Sequence, residues 1–552
     1  MKTRRITALI LAAMMAATVF SGCGGGSGSS TAASSTPPAA SSSTAPASSS
    51  QPAGDSGSTS ADGVDIDLSE TVKFTAMAGF RPQHADFKDM GIIDEINAAA
   101  NVEFAWELVP DASLNEKRSL ALSTGDIPDV MFGMMKDPEL MKNTSLFVPL
   151  DEYAQYTPNM VQIMKDDPAV EQFMTLSDGH YYSLAFWHEK PYEGAYNDLY
   201  INNDWLKAVG LELPNTIDEF EQMLIAFKTQ DPNGNGEADE IPFTFILDHV
   251  YFGLFGMYGA FGSIDNNDTR LHIKDGQVYF TANKDEWKNA TEWFAKLNSQ
   301  GLLDVEGFTQ DRSMLFAKGK SDPVLVGSMH AFLIDNVVGA DRVPSYSYCL
   351  PLQGADGKRI ARFNPNPISN RHTSVVSKNC KNIERMAYWL DLNLSEDFSL
   401  QNTYGLFGKQ LVDSSDSNYT YEFALAPDGM SQDDFRFKDA PAHFPAYINA
   451  DLYGTLKPAP DVARKVGYMN DTTEYLTTEW IPPVLFTDDE SRELATLKST
   501  VTDYVLQQQA LWISNQSDIT KDWDAYVAQL DALGVNRYVE IYQTAVDRYY
   551  GK

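Results

Sequence analysis

Asp231, Asn233, Asn235, Asp239 and Glu240 put five oxygen-bearing side chains within ten positions of the stretch "DPNGNGEADEIP", Asp231 to Pro242. Calcium takes roughly six to eight hard oxygens from a flexible loop. The first three donors stand at alternate positions, Gly236 permits a sharp turn, and Glu237 offers its backbone carbonyl, as in the first half of an EF-hand loop. The second half departs: position twelve is Pro242, so Asp239 and Glu240 must close the shell earlier. A polar helix-to-strand turn without metal is the competing reading, because Asn-Gly and Asp-Pro form turns on their own. Calcium is preferred because chance rarely sets five such side chains at this spacing. The ion would be structural, since no residue here is free to activate water. No zinc motif, nucleophile elbow or singled-out carboxylate pair is present, and the eight histidines are scattered.

The elements around this loop follow from periodicity. Thr216 to Glu219 is a capping box, and behind it Ile217, Phe220, Leu224 and Phe227 share one face of a helix that runs into Asp231. Asp204 is expected to cap a shorter helix ending at Gly210. Upstream, Thr71–Phe80 reads as a strand, followed by a helix and a second strand. A further helix leads to a turn at Gly125–Pro128 and a short strand at Asp129–Phe132. Strand and helix in alternation imply a parallel α/β sheet, whose ligands lie beyond the carboxyl ends of the strands. That places Phe80, Arg81 and Gly133 near a possible site. Trp205 and Trp389 fall within helical patterns and read as core, and the chain after Asn382 is mostly amphipathic helix.

Lys2, Arg4 and Arg5 precede the apolar run "ITALILAAMMAATVF", which is too short for a stable membrane span. Ser21-Gly22 before Cys23 resembles a bacterial lipobox, with Cys23 lipidated; an ordinary secretory signal containing a cysteine is the alternative. Residues 1–22 are thus the signal peptide. Residues 23–65 begin with the lipidated cysteine and continue as a disordered Ser/Gly/Ala/Pro tether. The protein is expected at the extracellular face of a bacterial membrane, touching it only through the lipid.

The net charge is −34, and removing the three leader cations takes it to −37. Such a chain repels nucleic acid. Acidic small ligands are not excluded, because a local basic cleft can override the mean field. Some 490 residues of folded chain imply two or three domains. Cys349 and Cys380 either pair or remain buried free thiols.

The segment from Leu199 to Phe243, "LYINNDWLKAVGLELPNTIDEFEQMLIAFKTQDPNGNGEADEIPF", resembles the extracellular solute-binding lipoproteins of bacterial ABC-type sugar importers. It is most similar to the alginate-oligosaccharide-binding and LipO-like branch of these family 1 solute-binding proteins. "STGDIPDVMF", "DGHYYSLAFW" and "TSVVSKNCKNIERMAYWLD" carry the resemblance onward, so that it covers nearly everything from Thr71 to the C-terminus. It implies an α/β, two-lobed periplasmic-binding-protein-like fold with hinge crossovers and a helix-rich C-terminal part. Crossovers fall near Ala185–Tyr200, Asn364–Thr373 and Leu411. One lobe would hold 66–187 plus 372–410, and the other 196–365 plus 412–552 with the calcium loop 231–242. The implied calcium ligands are Asp231, Asn233, Asn235, Glu237 through its backbone, Asp239 and Glu240.

A sugar presents CH faces to aromatic rings and hydroxyl edges to carboxylates, amides and Arg. Under the resemblance Trp187 is the first choice for stacking, with Tyr182 and Tyr196 beside it. His330 stands where many relatives place an aromatic ring. Arg81 and Arg371 would grip hydroxyls or a uronate, and Tyr258 and Trp480 complete the candidates. Each also has a packing reading, since most Trp and Tyr side chains in α/β proteins are core. The implied function is a monomeric, non-enzymatic receptor that binds an oligosaccharide and delivers it to importer permease subunits. The alternatives are a surface carbohydrate-active enzyme and a peptide-binding or sensory relative.

Overall fold

Val72–Phe80 pairs in parallel with Val102–Pro110 on one side and Val130–Phe132 on the other, as the strand–helix alternation requires. Ser374–Val376 returns from far along the chain to close this first sheet antiparallel to Val130–Phe132. These pairings come from a computed structural model that describes residues 63–552, apart from 82–83, 111–112, 191–193, 195–196, 428–429, 431 and 442–443. The leader, Cys23, most of the tether and Tyr196 lie outside the described residues. Phe104, Phe132, Trp389 and Phe444 interlock in the core over this sheet, with ring centroids between 4.7 and 6.5 Å apart.

A second sheet is built around Val326–Ala331. Asp198–Asn202 runs antiparallel to it, Ile241–Thr244 parallel, and Tyr346–Cys349 extends the far edge. Its core holds Trp205, Phe220, Phe227, Trp287 and Phe294. The C-terminal helices Asp488–Ile513, Ile519–Ala532 and Val535–Tyr549 add Trp512, Tyr526 and Tyr538 to that same core. The helix-rich end of the chain is therefore part of the second half.

The two halves are joined by a small third sheet. Phe186–His188 lies at its centre, antiparallel to Ile368–Asn370 and parallel to Ala446–Ile448. The first two strands fall at the expected crossovers. The third, Ala446–Ile448, lies further along the chain than the crossover expected near Leu411. Phe437 and Asp439 lie against the first half: Ala85 N–H donates to the Phe437 carbonyl, Gly91 N–H to the Asp439 carboxylate, and His84 packs on Phe437. The chain next crosses at Ala446–Ile448.

The local signals hold with one shift. Thr216 Oγ1 accepts from Glu219 N and the Glu219 carboxylate accepts from Thr216 N, both at 3.1 Å, so the capping box starts the helix Ile217–Thr229. The helix Asn203–Val209 is capped by Asn202, not Asp204. The Asn202 side chain accepts from the N–H groups of Asp204 and Trp205, and Gly210 closes the helix at φ +70°. Trp205 and Trp389 are buried, as expected. Cys349 and Cys380 are free thiols in the cores of different halves. Among the described residues no helix is long and apolar enough to cross a membrane.

Candidate functional site

Pro138 of the first half faces the long helix Asp488–Ile513 of the second across a groove of about 570 Å³. Asp248, Asp268, Lys498, Asp503 and Tyr542 line the second-half side. Asp268 and Tyr542 also border an adjoining depression of about 240 Å³, whose other walls include Asn266, His272, Arg362, Asn364 and Trp480. Together they offer one exposed indole, a phenol, amides and charged groups, which suits a polyhydroxylated ligand with apolar faces.

The walls are held from behind. Arg270 Nη1 donates to Asp265 Oδ2 at 2.6 Å, and both side chains are buried. Thr281 Oγ1 at 2.6 Å and Trp287 Nε1 at 2.9 Å donate to the same carboxylate. Asn266 Oδ1 accepts from Asp268 N and Thr269 N, and its Nδ2 donates to the Leu271 carbonyl. The loop that presents Asp268 is thus folded around its own polar groups. Lys498 Nζ donates to Asp268 Oδ1 at 2.6 Å, tying that loop to the long helix. Burial pushes His272 down to about 4, so the ring is neutral near pH 7. Burial also pushes the Tyr542 phenol up to about 12, so its O–H is retained.

Trp480 sits on a segment strapped to the second crossover. Ala361 N–H donates to the Tyr475 carbonyl, Phe363 N–H to Thr477 Oγ1, and Asn366 Nδ2 to the Ile481 carbonyl. Asn364 N–H reaches the Gly194 carbonyl in the first crossover. The exposed indole is therefore coupled to two of the chain crossings. On the first-half side, Leu485 packs against the cluster that contains Met131, Phe147 and Tyr182.

Of the sequence candidates among the described residues, only Trp480 borders this space, with 36% of its surface exposed. Trp187, the first choice, is buried in the first core against Phe173 at 5.7 Å, with Nε1 on Glu189. Tyr182 is buried and donates to Asp178. Tyr258 is fully buried between Thr291 and Gln509, where no ligand face is available. His330 is buried with Nδ1 on the Gly253 carbonyl at 2.8 Å. Arg371 is buried too, its guanidinium 4.0 Å over the Phe173 ring and Nη1 on the Phe173 carbonyl. Arg81 is exposed at the end of its strand, 5.9 Å over Phe437, and does not border the groove. Asn266, Asp268, His272, Arg362, Lys498 and Tyr542 escaped sequence reading, because only the folded chain brings them together.

In the loop, Asp231 takes φ +47°, with Gly234 at +71° and Gly236 at +82°. The Asp231 carboxylate accepts from Asn235 N and Gly236 N. Asn233 Nδ2 and Asn235 Nδ2 both donate to Asp239, at 3.0 to 3.2 Å. Glu240 Oε1 is buried without a hydrogen-bond partner. Its carboxyl is pushed up by burial first, and then by the charges of Asp231 and Asp239. An orphaned buried oxygen beside two further carboxylates is the donor set a divalent cation satisfies. Rotating either asparagine amide about its last bond would exchange nitrogen for oxygen at the same place. Among the described residues no three His, Cys, Asp or Glu side chains already stand as a metal cluster.

No family model matches the chain. It is 32% identical over 515 residues to the fructooligosaccharide ABC transporter substrate-binding protein FusA of Streptococcus pneumoniae serotype 4, a match covering 88% of this chain and 92% of that one. The chain belongs to the substrate-binding proteins of ABC transporters. Among solved structures, S. pneumoniae FusA in complex with kestose is 29% identical, with a TM-score of 0.77 over 87% of this chain and 99% of that one. An EF-hand mutant of FusA in complex with fructo-nystose superposes with a TM-score of 0.76, again at 29% identity, over 87% and 99% of the two chains. The two α/β halves are accordingly the lobes of a periplasmic-binding-protein-like fold, and the chain is a non-enzymatic component of transport.

Proposed function

We propose that the chain is a lipid-anchored receptor that captures an oligosaccharide between its lobes and delivers it to the permease subunits of an ABC importer. One observation carries this reading: an exposed indole, Trp480, stands in a polar recess that shares Asp268 and Tyr542 with a groove bordered by the long helix of one lobe and Pro138 of the other. The segment bearing it is strapped to the second crossover, so lobe closure and ring position are linked. FusA, the relative named above, has been solved with kestose. The ligand face is assigned to Trp480, Tyr542, Asp268 and Arg362. Closure is favoured only as far as the closed form binds more tightly.

The lobes are assigned as 66–187 plus 372–448 and 198–365 plus 450–552. Calcium is assigned to Asp231, Asn233, Asn235, the Glu237 carbonyl, Asp239 and Glu240, where it would neutralise gathered acids and fix the turn. Cys23 is assigned to lipid, which puts the receptor on the outer face of the membrane.

A thermal-shift panel of oligosaccharides and peptides on the full chain, with Trp480→Ala alongside, tests the reading. Stabilisation by a saccharide that is weakened in Trp480→Ala supports it. Stabilisation by peptides alone, or equal stabilisation of both proteins by the saccharide, refutes it.

A further inference from the structure

A ligand with carboxylates needs a basic cleft, all the more in a chain of net charge −34. The groove is not basic. Asp248, Asp268 and Asp503 line it against Lys498 and Arg362. The Lys498 ammonium is already matched by Asp268 at 2.6 Å. Arg371 of the opposite lobe is buried and committed to Phe173 and Asp137, so it cannot turn toward a ligand. His272 adds no charge near pH 7. Asp248 and Asp503, by contrast, are solvent-exposed.

We infer that the groove selects neutral oligosaccharides and rejects uronates, with Asp248 and Asp503 as the residues that repel them. This rests on the receptor reading above. Neutral hydroxyls gain from carboxylates, amides and the Tyr542 O–H. A uronate brings like charge into the same groove, and like-charge juxtaposition weakens binding without loss of shape fit. Because both acids are exposed, the repulsion is screened by salt over a Debye length of about 8 Å at physiological ionic strength.

The test titrates the full chain with three neutral trisaccharides (kestose, raffinose and maltotriose) and with trigalacturonate, at low and high salt. A neutral sugar is expected to bind about 100-fold more tightly than trigalacturonate at low salt, with the gap narrowing as salt rises. The double variant Asp248→Lys/Asp503→Lys should then gain about tenfold in trigalacturonate affinity. Both positions are on the surface, so the core is untouched. Trigalacturonate binding as tightly as the best neutral sugar, or no gain in the double variant, overturns the inference and leaves the receptor reading standing. Failure of every saccharide on both proteins overturns the receptor reading and the inference with it.

Discussion

Withdrawing calcium from the loop at Asp231–Glu240 should lower the melting temperature of the protein by several degrees. Without an ion, Glu240 Oε1 is buried with no partner, and its carboxyl is raised by burial and by Asp231 and Asp239. An ion that binds only the folded loop stabilises it by RT ln(1 + [L]/Kd), about 2.7 kcal/mol at 100 times Kd and about 4.1 at 1,000 times. The loop belongs to a lobe of roughly 250 residues, for which about 1 kcal/mol moves the midpoint by about 2–4 °C. Differential scanning fluorimetry at about 1 mM calcium against excess chelator should therefore show a shift of about 5–15 °C, restored by adding calcium back. Asp239→Asn keeps the shape but removes one charge, and should lose most of the response. A wild-type midpoint that does not move between calcium and chelator refutes the reasoning. So does an Asp239→Asn protein that responds in full.

Three further outcomes follow from the same geometry. Trp480→Ala should weaken saccharide binding by tenfold or more, as for an aromatic anchor worth about 2 kcal/mol, while chemical denaturation shows little change. Trp187→Ala should do the reverse: its ring is core, and the expected loss is about 3–5 kcal/mol of stability in urea unfolding. Burial holds His330 down to about 4, below its ordinary value, so the unfolded chain takes up the proton first as pH falls. The stability from its neutral ring is full above pH 6.5 and is lost as pH falls toward 4. The difference between wild type and His330→Gln should therefore slope by about 1.4 kcal/mol per pH unit across that window.

What the sequence made legible was local. The capping box at Thr216, the parallel strands from Val72 and the amphipathic C-terminal helices rest on signals within a few residues of each other. The turn that starts at Asp231 was legible for the same reason. Trp187 and Tyr258 show the limit: residue type reveals a ring suited to stacking, but which side of an element it faces is decided by tertiary packing. The position of Asp439 against the first lobe was not legible, because its contact with Gly91 spans hundreds of residues. Lys498 and Asp268, 230 positions apart, meet only once the long helix has packed. The charge of the cleft was beyond composition for that reason, since a mean of −34 does not say which acids face a ligand.

Isothermal titration calorimetry of the full chain with kestose, raffinose and maltotriose tests the receptor account most directly. It predicts saturable heat at one site per chain for at least one of them, returning to baseline after every injection because the sugar is held and not altered. Flat thermograms for all saccharides, or heat that continues to flow as a sugar is turned over, would contradict it.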